Sequence, residues 1–282
     1  ATTEIYTLSL HDALPISLSA ALDAYAPARV AERAAVAGVA KATLPLVPLF
    51  PLAVLAGAFI AFGAMFFTLS VTGSTLGFGP TRLIGGMAFS LGLILVVIAG
   101  AELFTGNNLI VMAWADRKVT TGQLLRNWVI VYVTNFVGAV ATAVMVAWSG
   151  PLGLSDDAVA ETAVAIATGK VSMTWFEAFI RAILCNALVC LAVWLSMSAR
   201  RVAGKILAII FPITAFVALG FEHSVANMYF LPLGWLLGAE GVTFGAIIAN
   251  LVPVTLGNII GGSVFVALVY WLVYLRPERT SP

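Results

Sequence analysis

Residues 100–108 read Gly-Ala-Glu-Leu-Phe-Thr-Gly-Asn-Asn, GAELFTGNN, and follow directly on the apolar run RLIGGMAFSLGLILVVIA. Glu102, Thr105, Asn107 and Asn108 have no place in an unbroken helix surrounded by oil. The interruption recurs at residues 220–228, GFEHSVANM. Gly100, Glu102 and Asn107 match Gly220, Glu222 and Asn227 in the frame G-x-E-x-x-x-x-N. The stretches that follow echo each other too: Asn127, Asn135 and Gly138 have the spacing of Asn250, Asn258 and Gly261. The chain therefore reads as two copies of one unit, each carrying a helix broken at a polar segment.

Composition supplies the solvent. The 282 residues are 61% hydrophobic and 10% charged, with a mean hydropathy of +1.05. No soluble core hides that much apolar surface, so the fold class is all-α integral membrane. A net charge of +1 points to no nucleic-acid partner. Cys185 and Cys190 share one apolar stretch and, at ~100° per residue, point about 140° apart. They read as small hydrophobes and not as a disulfide or metal pair. Residues 1–16, ATTEIYTLSLHDALPIS, are unlike the rest and lack a basic or long apolar segment, so they are not a signal peptide. They resemble a translated sequencing adapter and are read as a non-native or disordered tail. Setting them aside removes His11 and leaves His223.

Six apolar stretches follow, each near the ~20 residues that cross ~30 Å of hydrocarbon. They run over about Leu46–Ser70, Leu83–Ala101 (resuming as Leu109–Ala115), Leu125–Trp148, Trp175–Met197, Ile206–Phe221 (resuming as Met228–Ala239) and Ile247–Leu275. Arg29, Arg33, Lys41, Arg117, Lys118, Arg126, Arg200, Arg201, Lys205, Arg276 and Arg279 fall on one side of the resulting topology. Only Arg82, Lys170 and Arg181 fall near the other. The positive-inside rule then puts both termini in the cytoplasm, as in a bacterial inner membrane. The expected division is a tail at 1–16, a cytoplasmic amphipathic helix within 17–45, a six-span domain over 46–276 and a cytoplasmic tail at 277–282. The helix, Asp23–Ala42, could lie on the membrane surface or pack on a neighbouring subunit.

Each unit holds three spans, so the second copy enters the membrane inverted. Inverted repeats with broken helices mark transporters whose solute site lies near the midplane. The helix pieces resuming near Asn107 and Ser224 would both begin at the midplane, aiming positive dipole ends and free N–H groups that suit an anion. His223 is the sharpest candidate within the membrane, because an imidazole of ordinary pKa ~6.5 titrates near working pH. It reads as a pore group or as a fixed hydrogen-bonding pin, with Thr105 in the opposite break as its partner. Glu102 and Glu222 could carry protons, but, standing just before free N–H groups, they read first as supports of the breaks, as do Asn107 and Asn227. Asn186, mid-span, offers an amide either to a solute or to neighbouring helices. Lys170 closes the loop 150–172 and is by default solvated, although a cation at a pore mouth concentrates anions. Phe89, Leu93, Leu103, Phe104 and Phe216 read as dry constrictions or as packing.

At these residues the chain resembles the formate/nitrite transporter family. AGAELFTGN (99–107), ILCNALVCLA (183–192), GFEHSVANM and NLVPVTLGNIIGG (250–262) carry the likeness, which extends over about residues 23–276. The resemblance implies a homopentamer of aquaporin-like protomers, each with its own pore. It implies a central His223, a threonine partner Thr105, an extracellular Lys170 and a span-four Asn186. It also implies apolar slits at Phe89, Leu93, Leu103, Val189 and Phe216. Arg181 puts a charge early in span four, and no role for it follows.

The function expected is passage of small monovalent weak-acid anions, formate or nitrite first and hydrosulfide, acetate or lactate as alternatives. Protonation near His223 and proton coupling would accompany it. No cofactor, metal or enzymatic activity is expected. A neutral-solute channel would normally carry Asn-Pro-Ala motifs, and none occurs. An ammonium channel would want a pair of pore histidines. An intramembrane hydrolase built on Ser224 would need a base reaching back at it.

Overall fold

The computed structural model describes residues 24–276. The tails expected at 1–16 and 277–282 lie outside the described residues. Among the described residues, five helices are long and apolar enough to cross a bilayer: Leu46–Val71, Phe78–Gly100, Thr121–Trp148, Trp175–Ser198 and Phe244–Leu275. We label the elements α1 (Pro27–Ala42), α2 (Leu46–Val71), α3 (Phe78–Leu95, ending in a π-helical turn to Gly100) and α4 (Val111–Ala115, preceded by a 3-10 turn at Gly106–Ile110). They continue as α5 (Thr121–Trp148), α6 (Ala158–Val171), α7 (Trp175–Ser198), α8 (Val202–Ala218), α9 (Ser224–Leu236) and α10 (Phe244–Gly262, continued by π-helical turns to Leu275). The fifth apolar stretch is delivered as two pieces. Its first, Val202–Ala218, is too short to cross alone.

Local sequence sets the ends. Thr120 and Gln123 form a reciprocal capping box at the start of α5. Thr174 and Thr243 accept from the backbone of Glu177 and Ala246 at the starts of α7 and α10. Both breaks begin at a glycine in the left-handed region, Gly100 at φ +82° and Gly220 at φ +72°. Such a residue stops a helix, and Ala101 N and Phe221 N turn back to Val96 O and Phe216 O.

Two segments differ from the sequence expectation. The segment at 150–172 is no plain loop: a 3-10 turn at Pro151–Gly153 leads into α6. Its AVAETAVAIATGKV sequence is rich in strong helix formers. Among the described residues the amphipathic segment is helical from Pro27, whose fixed φ suits the first helical position. Its Val30, Ala31, Ala34 and Ala35 face bury against Ile110, Met112 and Ala113 of the same chain. That face is covered within the chain, while Val36 on the same helix stays exposed.

The long helices meet at glycines. A Cβ on Gly57 would lie 2.0 Å from Asn135 O, and one on Gly138 would lie 2.0 Å from Val54 O, so α2 and α5 touch backbone to backbone. Gly257 and Gly261 do the same for α10 against α7, at 2.4 Å from Phe179 O and 2.1 Å from Ile183 O. Small residues at such crossings let helices approach where lipid gives no hydrophobic drive.

The breaks are held by side chains, and both use the same set. Asn135 accepts from Phe104 N (2.9 Å) and donates to Ala53 O (2.7 Å) and Glu102 O (2.9 Å). Asn258 accepts from Ser224 N (2.9 Å) and donates to Ala182 O (2.8 Å) and Glu222 O (3.0 Å). One amide thus satisfies the broken segment on both sides and ties it to a neighbouring helix. The carboxylates do otherwise than expected. Glu102 receives Asn107 Nδ2 (2.8 Å) and Lys41 Nζ (2.5 Å), while Glu222 receives Asn227 Nδ2 (2.6 Å) and Lys170 Nζ (2.8 Å). Asn127 and Asn250 complete the rings, accepting from Asn107 and Asn227 and donating to Lys41 O and Lys170 O. The repeat therefore begins one helix earlier than the apolar spans suggest: Lys41 in the last turn of α1 answers Lys170 in the last turn of α6.

Two outcomes are expected. Gly261→Val, forced against Ile183 O, should cost about 1–3 kcal/mol or more, read as a lower melting temperature in detergent. Asn258→Ala strands buried backbone groups at about 1–3 kcal/mol each. Hydrogen exchange around Ser224 should accelerate, while exchange in the middle of α5 stays as in the parent.

Candidate functional site: a polar pair between two cavities

His223 is the N-cap of α9, an unusual use of imidazole. Its Nδ1 accepts from Ala226 N at 3.0 Å, and its Nε2 lies 2.9 Å from Thr105 Oγ1. Thr105 is fully buried and His223 is 2% exposed. The sequence pairing of these two residues across opposite breaks is therefore what the fold makes. The partners also assign the tautomer. A nitrogen that accepts from an amide carries no hydrogen, so the neutral ring bears its proton on Nε2 and donates it to Thr105. The Thr105 hydroxyl hydrogen is then left to point elsewhere. A second proton on Nδ1 requires the Ala226 N–H to be displaced.

Two cavities flank the pair. One, of about 420 Å³, is lined by His223, Phe89, Phe216, Phe230, Lys170, Glu222, Arg82 and Arg181. The other, of about 470 Å³, is lined by Leu93, Leu103, Gly106, Lys41, Glu102, Arg33 and Lys205. The His223–Thr105 hydrogen bond joins the wall of the first to the segment that walls the second. Apolar groups form part of both walls. Phe89 and Phe216 pack edge to face with centroids 5.6 Å apart, and Phe216 lies nearly parallel to the imidazole at 5.9 Å. Leu93 and Leu103 are each 2% exposed.

Other candidates fall elsewhere. Phe104 turns its ring to Tyr132 (4.9 Å) and Trp128 (6.2 Å), lines neither cavity and serves as packing. Val189 is buried in the core cluster and also lines neither. Asn186 acts first as glue: its Nδ2 lies within reach of Thr105 O (3.2 Å), Asn108 Oδ1 (2.9 Å) and Asn258 O (2.7 Å). Its Oδ1 has no partner among the described residues. Cys185 and Cys190 are buried free thiols, and Cys190 donates weakly to Thr105 O at 3.4 Å.

The anion-binding pole expected at the resumed helices is largely closed. Phe104 N, Asn107 N, Ser224 N and Ala226 N bond Asn135, Leu103 O, Asn258 and His223. Positive charge comes instead from side chains. Lys170 is not a solvated loop lysine; its side chain is 14% exposed, ion-paired to Glu222 and 5.4 Å from the Phe230 ring centroid. Lys41 makes the matching pair with Glu102. In the sequence, Lys41 reads only as an orientation charge. Its position on a short helix just before a span, shared with Lys170, was the available signal. Ser224 has no activated partner, since both ring nitrogens of its neighbour His223 are engaged.

The chain is similar to known proteins over most of its length. The family model "Formate/nitrite transporter" matches residues 28–272. The chain is 41% identical over 273 residues to "Formate channel FocA" of Escherichia coli (strain K12), covering 90% of this chain and 96% of that one. It is 45% identical over 268 residues to "Probable formate transporter" of Methanothermobacter thermautotrophicus, covering 89% and 97%. A solved structure, "Pentameric formate channel with formate bound", superposes with a TM-score of 0.74 at 38% identity, covering 81% of this chain and 97% of that one. With two broken helices meeting at one His–Thr pair and a match over nearly the whole described chain, this protein belongs to the formate/nitrite transporter family of integral membrane transporters, and not to an enzyme family.

Proposed function

We propose that this chain forms a homopentamer whose protomers each pass small monovalent weak-acid anions. Formate comes first, with nitrite next and hydrosulfide, acetate or lactate as further members of the same solute class. Lys170 would lie on the extracellular side and both termini in the cytoplasm of a bacterial inner membrane. The observation that carries the reading is the His223–Thr105 hydrogen bond set between two lysine-bearing cavities.

The mechanism follows from solvation. A carboxylic acid of reference pKa ~3.5–4 is almost wholly ionised at pH 7. Lys170 and Lys41 raise its local concentration on either side. At Phe89 and Phe216, or at Leu93 and Leu103, the solute must shed water, and an unpaired charge does this only at a large cost. Desolvation therefore favours the protonated acid. Since the neutral His223 has one proton, already given to Thr105, a proton from cavity water must enter at Nδ1 as the Ala226 N–H is displaced. Meanwhile the Nε2 proton passes to Thr105 and the Thr105 hydroxyl proton passes to the solute. The Thr105 hydroxyl hydrogen then offers a donor to the passing oxygen, and the acid crosses with its proton.

Thr105→Val keeps the volume and removes the hydroxyl. Initial formate uptake into proteoliposomes should fall by about tenfold, the cost of roughly 1.4 kcal/mol, while Thr105→Ser retains most of it. Equal rates in Thr105→Val would overturn the donor role. His223→Phe should alter the dependence of uptake on external pH or the selectivity among anions. A profile matching the parent would remove His223 from the relay.

A further inference from the structure

The cavity on the Lys170 side holds two cations that the relay does not use. Arg82, near the start of α3, donates from Nε to Ala218 O (2.9 Å) and from Nη2 to Val217 O (2.7 Å). Arg181, early in α7, donates from Nη1 to Gly220 O (3.1 Å) and pairs with Glu177 at 2.6 Å. Both guanidinium groups therefore sit on the carbonyl end of α8, where the helix leaves acceptors unpaired. They also converge. A Cβ placed on Gly220 would meet Arg82 Nη2 at 3.2 Å and Arg181 Nη1 at 3.5 Å. Gly220 thus gives the turn its left-handed φ, and without a Cβ it lets both cations close in on one point in the wall of the cavity.

Charge does not balance there. Lys170 is matched by Glu222 and Arg181 by Glu177. Arg82 has no carboxylate partner among the described residues, and helix carbonyls offset only part of a full charge. Capping carbonyls alone would not require two arginines crowded together, because like charges at short range repel. An anion between them relieves that repulsion, and the planar fork of a guanidinium suits a two-oxygen anion.

We infer that Arg82 and Arg181, converging across Gly220, form an outer capture site for a small monovalent oxyanion, one stage outside the Lys170–Glu222 pair. This rests on the reading of the cavity as part of an anion path. The site raises the anion's local concentration before dehydration begins, and it gives Arg181 a role.

The test uses purified full-length protein in proteoliposomes, with trace labelled formate far below saturation. Arg82→Gln/Arg181→Gln keeps amide donors for the carbonyls and removes both charges. At low ionic strength its initial uptake should be on the order of three- to tenfold below the parent, as expected for lost electrostatic focusing. Adding ~0.5 M sodium gluconate shortens the screening length to a few Å, and the difference should close. Equal uptake at low salt overturns the inference. So does a deficit that salt leaves unchanged, because that marks a damaged pore and not a missing charge. If the double variant does not assemble like the parent, Arg82→Gln alone carries the same comparison, with Arg181 still bonded to Gly220 O. Failure of the parent itself to move formate would instead overturn the transport reading, and the capture site with it.

Discussion

Two carboxamides make this fold possible. A helix cannot stop halfway through hydrocarbon unless its loose N–H and C=O groups find partners in protein. Asn135 and Asn258 supply those partners, each accepting one backbone N–H and donating to two carbonyls. With the chain ends fixed, Gly100 and Gly220 can turn it, and Thr105 and His223 can be presented to each other within 2.9 Å. Every other feature of the site depends on those turns staying open.

The second tier is electrostatic. Buried Glu102 and Glu222 would be costly alone, and each is paired with a lysine and an asparagine. The same rings set a cation at the edge of each cavity. On the proposed function, one arrangement serves both the stability of the break and the attraction of an anion. The two functions share atoms, so a carboxylate substitution disturbs both.

Much of this was legible in the sequence because membrane helices tolerate so few polar residues. The frame shared by Gly100, Glu102 and Asn107 with Gly220, Glu222 and Asn227 located both breaks, and the Asn127/Asn135 and Asn250/Asn258 spacing flagged the groups that hold them. Partners were not legible. Glu102 was expected to cap backbone N–H groups, but Asn135 reaches them from another helix, and no sequence spacing records that approach. Lys170 looked solvated because its surroundings read as a polar loop, whereas alanine-rich α6 folds it down onto Glu222. Phe104 could not be told from a pore residue, since orientation in a non-helical segment has no period to read. Arg82 and Arg181 were visible only as charges; their convergence depends on a glycine far along the chain.

The central claim is that the solute crosses the dry slits as a neutral acid together with its proton. It is tested most directly by measuring formate flux and internal pH together in proteoliposomes under an imposed membrane potential. The account predicts that each formate entering acidifies the interior by one proton equivalent and that reversing the potential leaves the flux unchanged. Flux that follows the potential, with no acidification of the interior, would contradict it.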